Sequence, residues 1–262
     1  MHAVNTPPTA AANRPRLTWF TFASPPHFYR LAGIAGPVFG ALATLLGVAG
    51  LWMGLLLAPV DAQQGQVYRI IFIHVPTAWM SMMLYVAMAA WAAVGWLLNT
   101  RMAFVFARAI APTGALFTVL ALWTGSLWGR PTWGTWWVWD ARLTSELILL
   151  FLYLGYMALV AAIDDTRRAD KAGALLAIVG VVNVPVIYFS VVWWNTLHQG
   201  SSLSMSGQSH MYPTMKWAML LMTFACWAYG FAVVFARARA IVLEREGDSA
   251  WARALAAPSN QG

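Results

Sequence analysis

The sequence predicts an all-α, polytopic membrane protein with six spanning helices and both termini in the cytoplasm. Three observations predict this class. First, 60% of the 262 residues are hydrophobic and 10% are charged, with a mean hydropathy of +0.62. Soluble domains carry about 25% charged residues and about 45–50% apolar ones, and disordered chains are apolar-poor. Second, the few charges leave long uncharged stretches between them. Third, those stretches are continuous Leu/Ala/Val/Met runs without period-two alternation, so they read as helices and not as barrel strands.

The elements follow in chain order. Residues 1–30 are polar, with Pro, Thr and Arg and no convincing cleavable signal peptide, and read as a cytoplasmic tail. Thirty uncharged residues separate Arg30 from Asp61, and 31 separate Arg69 from Arg101. A spanning helix needs about 20 apolar residues, so these stretches hold spans near 34–57 and 75–98. The 21 residues between Arg108 and Arg130 hold a third near 105–127, and the 17 between Glu146 and Asp164 a fourth near 144–163. Between Lys171 and Lys216 lie 44 uncharged residues. They hold a fifth span near 173–193 and a polar, Ser-rich segment at 195–207. The sixth lies near 214–236. The membrane domain is thus 31–237, and 238–262 form a second cytoplasmic tail.

The net charge of +7 comes from 16 Lys and Arg against 9 Asp and Glu. Charges this sparse make no basic groove for nucleic acid. They mark orientation instead. With the N-terminus inside, 12 of the 16 basic residues fall on the inner side, leaving Arg69, Arg130, Arg142 and Lys216 outside. The single cysteine excludes an intramolecular disulfide and a CxxC redox pair.

On this topology 11 of the 16 tryptophans lie at or beyond the outer interface. An interfacial aromatic belt accounts for Trp52, Trp91, Trp96 and Trp227. It does not account for Trp133, Trp136, Trp137 and Trp139, four tryptophans in seven residues. Such a run offers a flat, polarizable surface with indole N–H donors, suited to a large planar ligand. Asp140 and Arg142 stand beside it. Arg142 is the better fork for a carboxylate, with Asp140 orienting it. A structural Asp140–Arg142 pair at the start of the fourth helix is the alternative. Thr144 and Glu146 resemble a helix start, which makes Glu146 structural.

His74 lies at the outer mouth of the second span, with Pro76 expected in its first turn. His198 lies just past the outer end of the fifth span. A lone interfacial His usually has no special role, but two on different helices beside a tryptophan platform can grip a porphyrin from both faces. His210 sits in a Ser/Gly-rich segment with less pre-organisation, and His2 and His27 lie in the inner tail. A closed zinc site needs four ligands, and the outer side offers three His and few acids. No HExxH, P-loop or GxSxG motif is present, which leaves hydrolase and nucleotide chemistry without support.

The run Trp133-Gly134-Thr135-Trp136-Trp137-Val138-Trp139-Asp140-Ala141-Arg142-Leu143-Thr144 resembles the WWD signature of haem-handling proteins in cytochrome c maturation. Within that group, the short six-span chain is similar to the CcmC (haem exporter protein C) family. IHVPTAWMS around His74 and WWNTLHQG around His198 resemble that family's two histidine-bearing outer segments. The likeness covers about residues 30–237, with the WWD segment at 128–144. Size and span number separate the chain from the larger CcmF and CcsA. The N-terminal tail and the Ser/Met-rich stretch at 201–210 depart from the pattern.

The resemblance implies a location in the bacterial inner membrane, with the site on the periplasmic side. It implies haem b as the bound and transported ligand, with His74 and His198 as its axial ligands. It implies that Trp133, Trp136, Trp137, Trp139, Asp140 and Arg142 form a haem platform and a docking face for the chaperone CcmE. It implies work alongside the ABC transporter subunits CcmA and CcmB and the small CcmD. The expected role is delivery and not catalysis, although loading of the chaperone has a lyase-like aspect. The alternatives are a permease for haem or another small molecule, and a scaffold without any chromophore.

Overall fold

The computed structural model describes residues 24–194, 196–198 and 211–256, and the described residues contain helices and no strand. Helix α1 (Pro25–Trp52) starts on Ser24-Pro25, where proline's missing N–H falls among groups that lack intrahelical partners anyway. It continues through a π-helical turn, Met53–Leu57. A 3-10 turn, Gln66–Ile70, leads into α2 (Ile71–Leu98). Asn99, left-handed at φ 51°, caps α2 and turns the chain into α3 (Arg101–Trp133). Then follow α4 (Ala141–Ala161), α5 (Thr166–Gly180), α6 (Asn183–Trp193), α7 (Pro213–Glu246) and the short α8 (Ala250–Ala256).

Six helices are long and apolar enough to cross a membrane, with α5 and α6 together forming the fifth. This is the predicted architecture, but the helices outrun the expected spans. α1 begins inside the expected N-terminal tail, and α7 runs to Glu246 inside the expected C-terminal one. Hydropathy windows locate the bilayer-crossing part of a helix, while its polar ends continue into the interface. The fifth span is not one helix. It breaks at Val181 and Val182, where Gly180 precedes and Pro185 follows with no N–H to give.

The helices pack as two antiparallel pairs with the rest against them: α1 lies along α7, and α2 along α3. α4 sits on α3, and α5 bridges α2 and α4. The core lies between α2, α3 and α4. There Tyr85 and Tyr153 meet edge to face at 4.9 Å, and the Tyr153 hydroxyl donates to the Ser81 carbonyl at 2.8 Å. α1 is the least enclosed span. Its Leu31, Ile34, Val38, Leu42, Leu45 and Val48 face outward, an apolar stripe at helical spacing that suits lipid.

The end of the bundle where α1 starts is tied by charge. Asp170 of α5 is buried and accepts both Arg245 guanidinium nitrogens of α7, at 2.8 and 2.9 Å. Arg108 Nε of α3 stands 2.9 Å from the same carboxylate. Three spans are thereby joined at one residue. His27 lies exposed in the first turn of α1 at this end. His2, His210 and the Ser/Met-rich stretch lie outside the described residues.

Candidate functional site

The opposite end holds the site, and its frame is built from helix ends. Arg69 closes the end of α1: its guanidinium donates to the Gly54 carbonyl at 2.7 Å and the Ala58 carbonyl at 2.9 Å. Cations and side-chain donors there satisfy carbonyls that have no helical partner. The loop after α1 is turned by Asp61, whose Oδ1 accepts from the Gln63 and Gln64 N–H groups. Gln64 Oε1 in turn accepts from the Trp128 indole at 2.7 Å. These contacts hold the 3-10 turn that delivers His74 into the second turn's worth of residues of α2. Pro76 is the sixth residue of α2, so it lies deeper than the expected first turn.

The tryptophan run is a helix-to-helix connection. α3 continues through Trp133 and ends at Gly134, left-handed at φ 78°, whose N–H donates to the Arg130 carbonyl. The Ser126 hydroxyl donates to the Trp136 carbonyl at 2.9 Å and pins the loop onto α3. Asp140 then caps α4, its Oδ1 accepting from the Leu143 N–H at 2.8 Å. The helix start is therefore four residues before Thr144. A carboxylate at Asp140 suits the orphan N–H groups and the positive end of α4 better than a threonine inside the first turn.

These elements enclose a cavity of about 470 Å³, lined by His74, Trp79, Trp128, Trp133, Arg142 and His198 among others. That volume falls in the usual range for ligand pockets. His74 comes from α2 and His198 from beyond α6, 124 residues apart, and both face it. Each imidazole has its own indole. His74 meets the edge of Trp128 at 5.6 Å, and His198 meets Trp133 at 4.8 Å. A recess of about 40 Å³ continues from the same side chains past Ser126 to Glu146.

His74 is pressed against α3. A Cβ on Gly125 would stand 3.0 Å from the His74 Cε1, so glycine is what lets the ring approach the helix. His74 Nδ1 lies 3.0 Å from the Thr124 hydroxyl. His198 Nδ1 faces Asp140 Oδ2 at 3.8 Å, and both atoms are buried without a hydrogen-bond partner. Burial pushes the His198 imidazole below its usual range, which Asp140 only partly opposes, so it stays neutral. Burial pulls the Asp140 carboxyl upward, but His198 and the Leu143 N–H outweigh it and hold the carboxyl below the ordinary carboxylate range. A neutral imidazole beside a fixed carboxylate is a ligand with an available lone pair.

Arg142 lines both the cavity and the recess, donating one bond, at 3.3 Å, to the Ile187 carbonyl of α6. It makes no ion pair with Asp140 among the described residues. The structure thus separates two residues that the sequence joins, Asp140 toward His198 and Arg142 toward the cavity. A guanidinium has five N–H donors, so most of Arg142 is free for a ligand carboxylate.

The four tryptophans of the run also separate. Trp133 lines the cavity, while Trp136, Trp137 and Trp139 do not. Trp136 and Trp139 are 53% and 76% exposed, and Trp137 packs edge-on to Trp139 with its indole nitrogen buried and unpartnered. Sequence reasoning missed Trp128, Thr124, Gln64 and Trp79. Trp128 carried a signal, since it lies five residues before Trp133 and opens the 128–144 segment, but no role of its own is legible in the sequence. Glu146, expected to be structural, is buried on the recess wall, where Oε1 accepts from the Ser81 hydroxyl at 2.6 Å.

Comparison with known proteins adds a family to this geometry. Residues 18–253 match the family model described as "CcmC: Heme exporter protein C". Relatives named "Heme exporter protein C" include one from Escherichia coli (strain K12), 44% identical over 244 residues, which cover 91% of this chain and 96% of the relative. Another, from Haemophilus influenzae, is 45% identical over 90% of this chain and 96% of its own length. A third, from Bradyrhizobium diazoefficiens, is 48% identical over 80% of this chain and 79% of its own.

Proposed function

The chain belongs to the heme exporter protein C family, and on that premise we propose that it holds haem b between His74 and His198 and delivers it to the chaperone CcmE. The broader role is haem handling in cytochrome c maturation. One observation carries the finer reading: two histidines from distant parts of the chain converge on one cavity, each backed by an indole edge. Two neutral imidazoles fill both axial positions of an iron porphyrin, which limits oxygen chemistry during transfer.

The remaining residues divide the work. Trp128 and Trp133 supply apolar wall and ring edges, and Arg142 meets a haem carboxylate. Asp140 orients His198. Trp136 and Trp139, exposed on the same loop with the half-buried Trp137 packed edge-on to Trp139, form the docking face for CcmE, since exposed indoles are strong interface anchors. CcmA, CcmB and CcmD are the expected membrane partners. Family membership implies the bacterial inner membrane, and the split of four basic residues at the site's end of the bundle against ten at the other, among the described residues, supports a periplasmic site.

The test is an absorption spectrum of the chain purified with its partners, with His74→Ala, His198→Ala and the double variant. A low-spin Soret band in the wild type, weakened in each single variant and lost in the double, is expected. Wild-type haem content and chaperone loading in both single variants overturns the ligand assignment.

A further inference from the structure

Resting on the ligand reading above, we propose that Thr124 is the positioning residue for His74, fixing which imidazole nitrogen is offered to iron. The argument is a count of protons. The Thr124 hydroxyl is buried and has one hydrogen. It lies 2.6 Å from the Leu120 carbonyl and 3.3 Å from the Ala121 carbonyl. Carbonyls only accept, so the hydroxyl hydrogen is committed to the backbone of α3. What remains toward His74 Nδ1, 3.0 Å away, is a lone pair. Nδ1 therefore carries the proton, and Nε2 carries the lone pair. Gly125 and the Trp128 edge hold the ring in that orientation from two further sides.

The two ligands are supported differently. His198 faces a carboxylate, and His74 faces a neutral hydroxyl whose own proton is already spent. At 3.8 Å the carboxylate is too far from His198 Nδ1 for a hydrogen bond, so His74 is the imidazole whose orientation is fixed by a direct hydrogen bond.

Thr124→Val removes the hydroxyl and keeps the volume. Thr124→Ser keeps the hydroxyl. Each is made in the full chain, purified with its partner subunits and loaded with hemin. Thr124→Val is expected to lower haem affinity about ten- to a hundred-fold. It should also convert part of the low-spin spectrum to high-spin and raise the iron reduction potential, because a less basic imidazole favours the ferric state less. Thr124→Ser restores all three. A wild-type spectrum, affinity and potential in Thr124→Val overturns the inference, as does equal impairment in Val and Ser, which makes the role one of shape. His74→Ala is measured alongside. If it leaves the spectrum unchanged, the ligand reading itself fails and this inference with it; if it alters the spectrum while Thr124→Val does not, only the positioning role fails.

Discussion

Asp140 does two things that a single substitution can separate. Its Oδ1 caps α4 by accepting from the Leu143 N–H at 2.8 Å, and its Oδ2 points at His198 Nδ1 from 3.8 Å. Asp140→Asn keeps a carbonyl oxygen for the cap and removes the charge. Asp140→Ala removes both. The cap contributes about 1 kcal/mol to the helix, and Asn caps as well as Asp, so Asp140→Asn should leave thermal unfolding in detergent nearly unchanged. The charge is worth more to the ligand. At 3.8 Å and an effective dielectric of about 20, two full charges would interact by about 4.4 kcal/mol. His198 is neutral and 3.8 Å is too long for a hydrogen bond, so the carboxylate acts through its field on the imidazole and the interaction is well below that limit. Loss of an outer-shell carboxylate costs about 10–100-fold in metal affinity, or about 1.4–2.8 kcal/mol, which falls below that upper limit. Hemin titration followed at the Soret band should therefore show Asp140→Asn weakened about 10–100-fold with its melting temperature intact. Asp140→Ala should show the same weakening and a lower melting temperature. Wild-type affinity in Asp140→Asn would refute the reasoning and leave Asp140 a helix cap only.

Three further expectations follow from the same geometry. Gly125→Ala places a Cβ 3.0 Å from His74 Cε1 and must push the ring by a few tenths of an ångström, so haem content should fall. Gly155→Ala, whose Cβ would meet only Leu176 at 3.8 Å, should leave it unchanged. Asp170→Asn leaves the Arg108 and Arg245 guanidiniums without their shared carboxylate, a loss of about 3–5 kcal/mol for a broken buried pair. It should lower the melting temperature and membrane accumulation, whereas Arg101→Ala, which loses an exposed 3.9 Å pair with Glu246, should change the melting temperature little. Trp128→Ala and Trp133→Ala should lower haem binding itself. Trp136→Ala and Trp139→Ala should spare it and reduce transfer to CcmE, and equal loss of haem in all four would dissolve the division between wall and docking face.

The six spans were legible because a bilayer imposes a length and an apolar composition that few other constraints imitate. The break in the fifth span had its signals too, in Gly180 and Pro185, but a hydropathy window averages over both. A Cβ at Gly180 would overlap the Tyr85 hydroxyl of α2. That contact joins residues far apart in sequence, which no local pattern contains. Asp170 is a similar case. Its sequence neighbours Arg167, Arg168 and Lys171 suggest a solvated charge run, yet its partners are Arg108 and Arg245 on two other helices.

The site divides along the same line. His74, His198 and the tryptophan run stood out because their residue types are rare at such density in a membrane protein. The division of labour among them did not, because it depends on where one helix ends. Gly134 turns left-handed and stops α3 immediately after Trp133. Trp133 therefore stays on the helix and faces His198, while the next three indoles lie on the connecting loop and do not line the cavity. A run that reads as one flat platform is thus cut at its second residue by a single backbone angle. Had Gly134 been a residue that favours α-helix, α3 would have carried Trp136 and Trp137 onto the same face as Trp133, as i, i+3 and i+4 positions, so the left-handed turn at Gly134 is what splits the run. On the proposed reading the tryptophans serve two surfaces, an inner one for the ligand and an outer one for the partner that receives it. On that reading, a partner touching the loop would contact residues joined directly to the end of α3 that carries Trp133.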